Sequence, residues 1–430
     1  MDFLYDAPYI LRILSALAAI LIFNRIIKSL ILSVAGGTLL LALWCGHDIW
    51  GIINVSTHKI SSSGSIMLTI VLFLVIWLSS IMEKTGVMND MVAIIKKSIS
   101  RRAGFAVLPA IIGMLPMPGG ALFSAPMVND MDKGLNVAPM LKSEINYWFR
   151  HIWEYWWPLY PGVLLALELT GLSPGRFIIL QSGLSFFAIA GGYFVFLKKI
   201  PESEEKERSW SIKNIIQMPL MIAPVLTIIA VYTAISVFRP GAAETSGYLP
   251  MTAGIIIAIF TVIIQRRPGL KVLAEVITSA NTLKLVLLVA VIGIYSAFIE
   301  TPLPDGTFIM EHVRGELSGN NIPVLFIIML IPMISGLSTG IAVGFVGASF
   351  PIVMNLLGPD PAITNVMSYT VIAYSFGFAG MMLSPVHVCH VVTVKYFNSS
   401  LNRSSLSMIA PSLFIMAGGL LISLIVTSFF

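Results

Sequence analysis

Apolar residues fall in long runs separated by short polar or basic stretches, at 8–23, 29–45, 65–82, 144–169, 177–197, 214–237, 248–265, 284–300, 364–394 and 406–428. A helix of about 20 apolar residues crosses a bilayer, so the pattern predicts ten spans. Two further apolar stretches, about 104–128 and 322–353, are interrupted near their middles by Leu115-Pro-Met-Pro-Gly-Gly120 and Ser335-Gly-Leu-Ser-Thr-Gly340. Each predicts two half-helices meeting at a tip, a re-entrant hairpin. The spans that follow the hairpins are also interrupted, at Trp157-Pro-Leu-Tyr-Pro-Gly162 and Leu383-Ser-Pro-Val-His387. A proline inside a helix removes a donor and frees a carbonyl. In lipid such a break survives only where protein or a water-filled cavity satisfies the freed groups.

Composition agrees with this pattern. The chain has 430 residues, of which 57% are hydrophobic and 11% charged, with a mean hydropathy of +0.90, whereas a soluble domain carries about 25% charged residues. No polar stretch is long enough to build a soluble domain on a single anchor. The formal net charge of +5 implies no nucleic-acid partner, because in a membrane chain the placement of Lys and Arg matters more than their sum. Cys45 and Cys389 lie far apart without ligand spacing and read as buried thiols. Met1 to Ala7 has no basic segment before the first apolar run, so the first span is expected to be retained.

Counted with both hairpins as non-crossing, the basic residues are strongly asymmetric. Only Lys59, Arg176, Arg239 and Arg314 fall in the loops on one side, and nearly all the others fall on the opposite side, including Lys96, Lys97, Arg101, Arg102, Lys198, Lys199, Arg266 and Arg267. The positive-inside rule then places both termini outside. Each half reads as three spans, a hairpin and two spans: 1–197 as a first repeat, 198–213 as a charged cytoplasmic linker, and 214–430 as a second repeat. Five crossings is an odd number, so the halves are inverted and the hairpins enter from opposite faces, a construction used by secondary transporters. Ser124-Ala-Pro-Met-Val128 matches Ser349-Phe-Pro-Ile-Val353 in the same slot of both hairpins, and Ile81-Met-Glu83 matches Phe298-Ile-Glu300.

The candidate chemistry gathers at the interruptions. Half-helix N-termini offer unpaired N–H groups and positive partial charge, which suit an anion; unwound carbonyls and hydroxyls suit Na⁺. Candidate substrate contacts are Pro118, Gly119, Gly120 and Ser124 at the first tip, Ser338, Thr339 and Gly340 at the second, Ser384 at the second break, and Arg150. The alternative for the glycines and prolines is tight helix packing. Arg150, His151 and Glu154 lie inside an apolar run, where a charge costs about 2.5–3.5 kcal/mol on insertion scales. Spacing of i,i+4 lets Arg150 and Glu154 pair on one helix face. Arg150 would serve as counter-charge, with His151 or Glu154 as a proton-coupling group; the alternative is a structural ion pair among packing and interfacial aromatics. His387 and His390 are three apart, with no third metal ligand evident, and His387 is a candidate coupling group. Asn129 and Asp130 fit either a cation site or a solvated helix end. Gly336-Leu-Ser338-Thr-Gly340 fits the nucleophile-elbow pattern, so an intramembrane serine hydrolase using Ser338 with His387 or His390 is a remote alternative.

Met117-Pro-Gly-Gly-Ala-Leu122, Phe149-Arg-His-Ile-Trp-Glu-Tyr155 and Pro158-Leu-Tyr-Pro161 resemble the domain-of-unknown-function 401 family, a branch of the ion transporter superfamily. That superfamily includes dicarboxylate/sodium symporters, gluconate permeases, citrate carriers and arsenite permeases. The resemblance implies a homodimer, a scaffold domain, and a transport domain holding both hairpins and both broken helices, with an elevator motion. The Ser-Asn-Thr pairs of the sodium/dicarboxylate members are absent, and only Ser338-Thr339 is similar.

The expectation is therefore an all-α polytopic membrane protein with an elevator-type ion-transporter-superfamily fold, made of inverted repeats of five helices and one re-entrant hairpin each. It would sit in the bacterial or archaeal inner membrane and move a small, anionic organic solute with H⁺ or Na⁺, with no cofactor, no bound metal and no catalytic activity. A cation/proton antiporter using Asp130, Glu154 and His151 is the runner-up.

Overall fold

The computed structural model describes residues 7–115, 120–132, 134–201, 212–239, 248–277 and 279–429. Among these residues it is all helical, as lipid demands, since a helix satisfies its own backbone groups. The first half contains α1 (Tyr9–Ile27), α2 (Leu30–Trp44), α3 (Ile49–Ser61), α4 (Ser63–Lys84), α5 (Val87–Ser98), α6 (Arg101–Ile112), α7 (Ala121–Met131), α8 (Pro139–Arg150), α9 (Pro161–Thr170) and α10 (Pro174–Val195). The second contains α11 (Ile212–Phe238), α12 (Leu249–Arg266), α13 (Leu270–Ile277), α14 (Ala280–Glu300), α15 (Ile309–Gly319), α16 (Val324–Thr339), α17 (Ala342–Asn355), α18 (Ile363–Leu383), α19 (Val388–Tyr396), α20 (Leu401–Ser407) and α21 (Ile409–Phe429).

Each of the ten apolar runs forms helix over all or part of its length, but by length and composition seven helical stretches among the described residues qualify as membrane spans. The other three runs differ for separate reasons. Helix α2 has 15 residues, the apolar helix described within α11 covers Ala223–Phe238, and the 144–169 run is divided between α8 and α9. Short helices not anticipated from the apolar runs flank the third span of each half: α3 and α5 around α4, and α13 and α15 around α14. Amphipathic segments of this kind carry too much polar surface to register as spans.

Both interrupted stretches form paired half-helices. Helix α6 starts at Ser100, whose hydroxyl accepts the Ala103 N–H. Its partner α7 resumes at Ala121. Helix α16 ends where Gly340 turns left-handed at φ 65°, its N–H donating to the Gly336 carbonyl. Helix α17 begins two residues later. The α15–α16 pair is bent by 117° at its own break.

Packing sorts the helices differently from the sequence halves. The hairpins α6–α7 and α16–α17 pack with α8, α9, α18 and α19, with α10 and α21 against α18, while α2–α4 pack with α12 and α14; contacts of α14 with α17, α4 with α9 and α1 with α16 join the two groups. Each group thus draws on both halves. Helix α18 lies at the centre of the first group: the Ile363–Tyr396 stretch is 83% buried, against 28–50% for the other spans. It packs on α16 through glycine, since a Cβ at Gly336 would fall 2.1 Å from the Gly377 carbonyl oxygen, and one at Gly380 2.1 Å from that of Met333. Small residues let the two backbones approach where hydrophobic exclusion gives no net drive.

Candidate functional site

The interruption of the fourth span is longer than the proline pattern implies. Helix α8 ends at Arg150 and α9 begins at Pro161, with residues 151–160 in turns between them. This corrects the expectation that Arg150 and Glu154 lie i,i+4 on one helix: no helix continues past Arg150, and Glu154 lies in the turns beyond it, 3.8 Å from His151 Nε2. The matching break in the second half, Ser384 to His387, is short, and His387 is the N-cap residue of α19.

The chain satisfies the freed backbone groups with aromatic side chains. The last carbonyls of a helix have no intrahelical partner. Near the end of α6, Trp153 Nε1 donates to the Ala110 carbonyl at 2.7 Å and Trp157 Nε1 to that of Met114 at 2.8 Å. The Tyr160 hydroxyl donates to the Gly113 carbonyl. Ser185 Oγ donates to the Ile152 carbonyl at 2.5 Å, Tyr374 OH to that of Glu154 at 2.7 Å, and Tyr147 OH to that of Met382 at 3.1 Å. The Trp/Tyr run that reads in sequence as packing and interfacial belt is thus a set of hydrogen-bond donors holding the break open.

The two breaks meet at a buried polar cluster. His151 Nδ1 faces the Tyr147 carbonyl at 2.6 Å and must donate, so in the neutral ring Nε2 carries the lone pair. His387 Nε2 lies 3.1 Å from that nitrogen, Arg150 Nη1 3.4 Å and Glu154 Oε1 3.8 Å. Arg150 Nη1 also donates to Cys389 Sγ at 3.3 Å. All five side chains are buried. Tyr147 stacks on His390 with centroids 4.1 Å apart, and His390 Nε2 bonds Ser404 Oγ at 2.7 Å.

Both hairpins touch this region. A Cβ at Gly113 would lie 1.9 Å from the Arg150 carbonyl oxygen, so the end of α6 abuts the first break. Asn146 Nδ2 donates to the Ala121 carbonyl at 3.3 Å and to Thr393 Oγ1 at 3.2 Å, joining the start of α7 to α8 and α19. At the second tip, Ser384 Oγ donates to the Leu337 carbonyl at 2.6 Å, and a Cβ on Gly340 would come within 2.9 Å of His387 N. The N-termini of α9 and α17 also meet, because a Cβ on Gly162 would lie 2.6 Å from Ala342 Cβ. Two positive helix ends therefore converge beside the cluster.

Of the residues singled out from sequence, Arg150, His151, Glu154 and His387 come together, with Gly340 and Ser384 against them. Gly120 and Ser124 lie at the start of α7, where Ser124 Oγ bonds back to the Ala121 carbonyl at 3.3 Å. Thr339 Oγ1 donates to Ser335 O at 2.7 Å, and Ser338 is half-buried on the last turn of α16. Pro118 and Gly119 lie outside the described residues. Asn129 Oδ1 accepts from Lys142 Nζ at 2.9 Å, and Asp130 pairs with Lys96 at 2.9 Å, so these two engage lysines rather than members of the cluster. Cys389, Asn146, Tyr147, Tyr160 and Tyr374 are the members that sequence reasoning missed. The adjacency of Cys389 to His387 was the one available signal.

Residues 10–426 match the family model described as "Protein of unknown function (DUF401)". The chain belongs to the DUF401 family. The match spans both hairpins and both breaks, so the cluster lies within the DUF401 region. No curated protein matches the sequence. Among solved structures, this DUF401 chain is similar to the YdaH transporter of Alcanivorax borkumensis, at 13% identity and a TM-score of 0.46, over 88% of this chain and 89% of that one.

Proposed function

We propose that the protein is a secondary active transporter moving a small anionic organic solute across the inner membrane, coupled to H⁺. The observation that carries this reading is the 3.1 Å contact between His151 and His387. It joins an interrupted helix from each half inside a buried polar cluster that also holds Arg150. In membranes such ionisable residues mark ligand or proton pathways. Arg150 and the converging N-termini of α9 and α17 suit an anionic group. The two atoms nearest His151 Nε2 are nitrogens, His387 Nε2 at 3.1 Å and Arg150 Nη1 at 3.4 Å, with one carboxylate oxygen of Glu154 at 3.8 Å, which favours a proton over Na⁺, whose ligands are oxygens. Thr339 at the second tip already spends its hydroxyl on Ser335.

On this reading 1–197 and 214–430 are inverted repeats joined by a cytoplasmic linker, both termini face outside, and the hairpins dip in from opposite sides. Of the two packing groups, the one with hairpins and breaks is the transport domain and the other the scaffold of a homodimer, with an elevator displacement between them. The parallel order of helices in the two halves supports this division. The antiporter alternative is weaker, because Asp130 is exposed and paired with Lys96. So is the hydrolase, because His387 Nε2 faces His151 and His390 Nε2 faces Ser404, and among the described residues no hydrogen bond joins either ring to Ser338.

Proteoliposomes loaded at neutral pH and placed in acidic medium test the proposal with labelled mono-, di- and tricarboxylates. Uptake should follow the pH gradient, persist without Na⁺, and be lost in His387→Gln and Arg150→Gln variants that still purify as folded protein. Uptake driven by a Na⁺ gradient alone would refute proton coupling. Proton efflux exchanged for Na⁺ or K⁺, with no anion accepted, would establish the antiporter.

A further inference from the structure

The cluster has a capacity that solute transport does not use. His151, His387 and Cys389 each present one ligand atom, all buried and all within 4.8 Å of one another. They come from the first break and from the N-cap and first turn of α19, and no sequence spacing links the first to the others. Two imidazole nitrogens bound to one first-row ion at about 2.0–2.1 Å stand roughly 3.3–3.6 Å apart; the two Nε2 atoms here are 3.1 Å apart. The Tyr147 carbonyl fixes the His151 tautomer with Nε2 bare, the usual outer-shell device for a metal-binding histidine. Nδ1 of His387 has no hydrogen-bond partner among the described residues, so it is free to take the ring proton when Nε2 binds.

We propose that His151 Nε2, His387 Nε2 and Cys389 Sγ form a three-coordinate site for one soft monovalent cation of the Cu⁺ or Ag⁺ class. Ligand softness favours this class, because thiolate and imidazole together suit Cu(I). Charge selects the same class, because the buried Arg150 guanidinium already lies 3.3 Å from Cys389 Sγ. A monovalent ion with one thiolate adds no net charge there, whereas a divalent ion would add a second buried positive charge. Binding breaks the Cys389 S–H bond and forms an S–metal bond; the proton leaves and no electron is transferred. The ion replaces the Arg150 Nη1 contacts to sulfur and to His151.

The test uses the purified full-length protein in detergent, with Ag⁺ as a redox-silent probe and Cys45→Ser as background, so that Cys389 is the only thiol. Titration calorimetry in buffers of different ionisation enthalpy should give one Ag⁺ per chain with one proton released. X-ray absorption should show both nitrogen and sulfur neighbours. Cys389→Ser should weaken binding by more than about 100-fold, and His387→Ala by about 10–100-fold. A sulfur-only shell, or unchanged affinity in His387→Ala, would reduce the site to a bare thiol and overturn the proposal. So would stoichiometric binding that survives Cys389→Ser, or no binding by the folded background protein. The absorption spectrum is read on protein with all three ligands intact, so it decides the matter even if a histidine variant fails to fold. Binding in detergent needs no flux, so this inference and the transport reading fail separately.

Discussion

Gly340→Ala, compared with Gly306→Ala, tests whether the second hairpin tip abuts the second break. Both glycines have positive φ, 65° at Gly340 and 84° at Gly306, so an added Cβ at either site costs about 1–2 kcal/mol of left-handed backbone strain. They differ in what the Cβ meets. At Gly306 nothing lies within 4 Å, whereas at Gly340 the new atom would sit 2.9 Å from His387 N and 3.0 Å from Ser384 Oγ. The first neighbour is backbone and cannot swing away. The second is the hydroxyl that bonds the Leu337 carbonyl. Overpacking of this kind costs about 1–3 kcal/mol, and loss of the buried hydrogen bond adds about 1 kcal/mol. Gly306→Ala should therefore lower the unfolding free energy by about 1–2 kcal/mol and Gly340→Ala by about 3–6 kcal/mol, read by SDS-induced unfolding in mixed micelles. Only Gly340→Ala should also impair solute binding. Equal effects from the two variants would mean that the tip does not touch the break, and the shared site would lose its second wall.

Two other outcomes follow from the hydrogen bonds. Tyr160→Phe leaves the Gly113 carbonyl without its donor inside the packed bundle and should cost about 1–3 kcal/mol, visible as a lower SDS-unfolding midpoint; an unchanged midpoint would show the carbonyl to be satisfied another way. Asp305, in the loop before α15, accepts from the Thr307 hydroxyl and N–H, which holds its carboxyl below the usual carboxylate range. A carboxyl lowered on folding contributes above its unfolded pKa and loses that contribution as pH falls through the folded one. Amide exchange in residues 301–308 should therefore accelerate below about pH 4, and Asp305→Asn should remove that dependence; a pH profile identical in the variant would rule the carboxyl out.

Much of the architecture is legible in the chain because lipid leaves few options. An apolar run of sufficient length becomes a helix, and Pro-Gly interruptions become ends, so the ten runs, both half-helix pairs and both breaks can be read from residue order. The extent of the first break is not legible. Nothing in Arg150 to Tyr160 except Pro158 breaks a helix, and the ten-residue opening survives because Trp153, Trp157, Tyr160 and Ser185 supply hydrogen bonds across to other segments. Those bonds exist only once α6 and α10 are in place.

The costly residues were likewise visible one at a time. Arg150, His151 and Glu154 stand out in an apolar run, and His387 beside a proline. Their meeting depends on α8 and α18–α19 being packed together from opposite halves of the chain, over a separation of 236 residues between the two histidines. The sequence alone determined which groups must be buried and therefore paired. The tertiary structure decided with whom: it turned Cys389 from an inert thiol into a neighbour of two imidazoles, and gave Asn129 and Asp130 to lysines. Burial cost is a local property of a residue type, but hydrogen-bond partners in a bundle are set by how the helices cross.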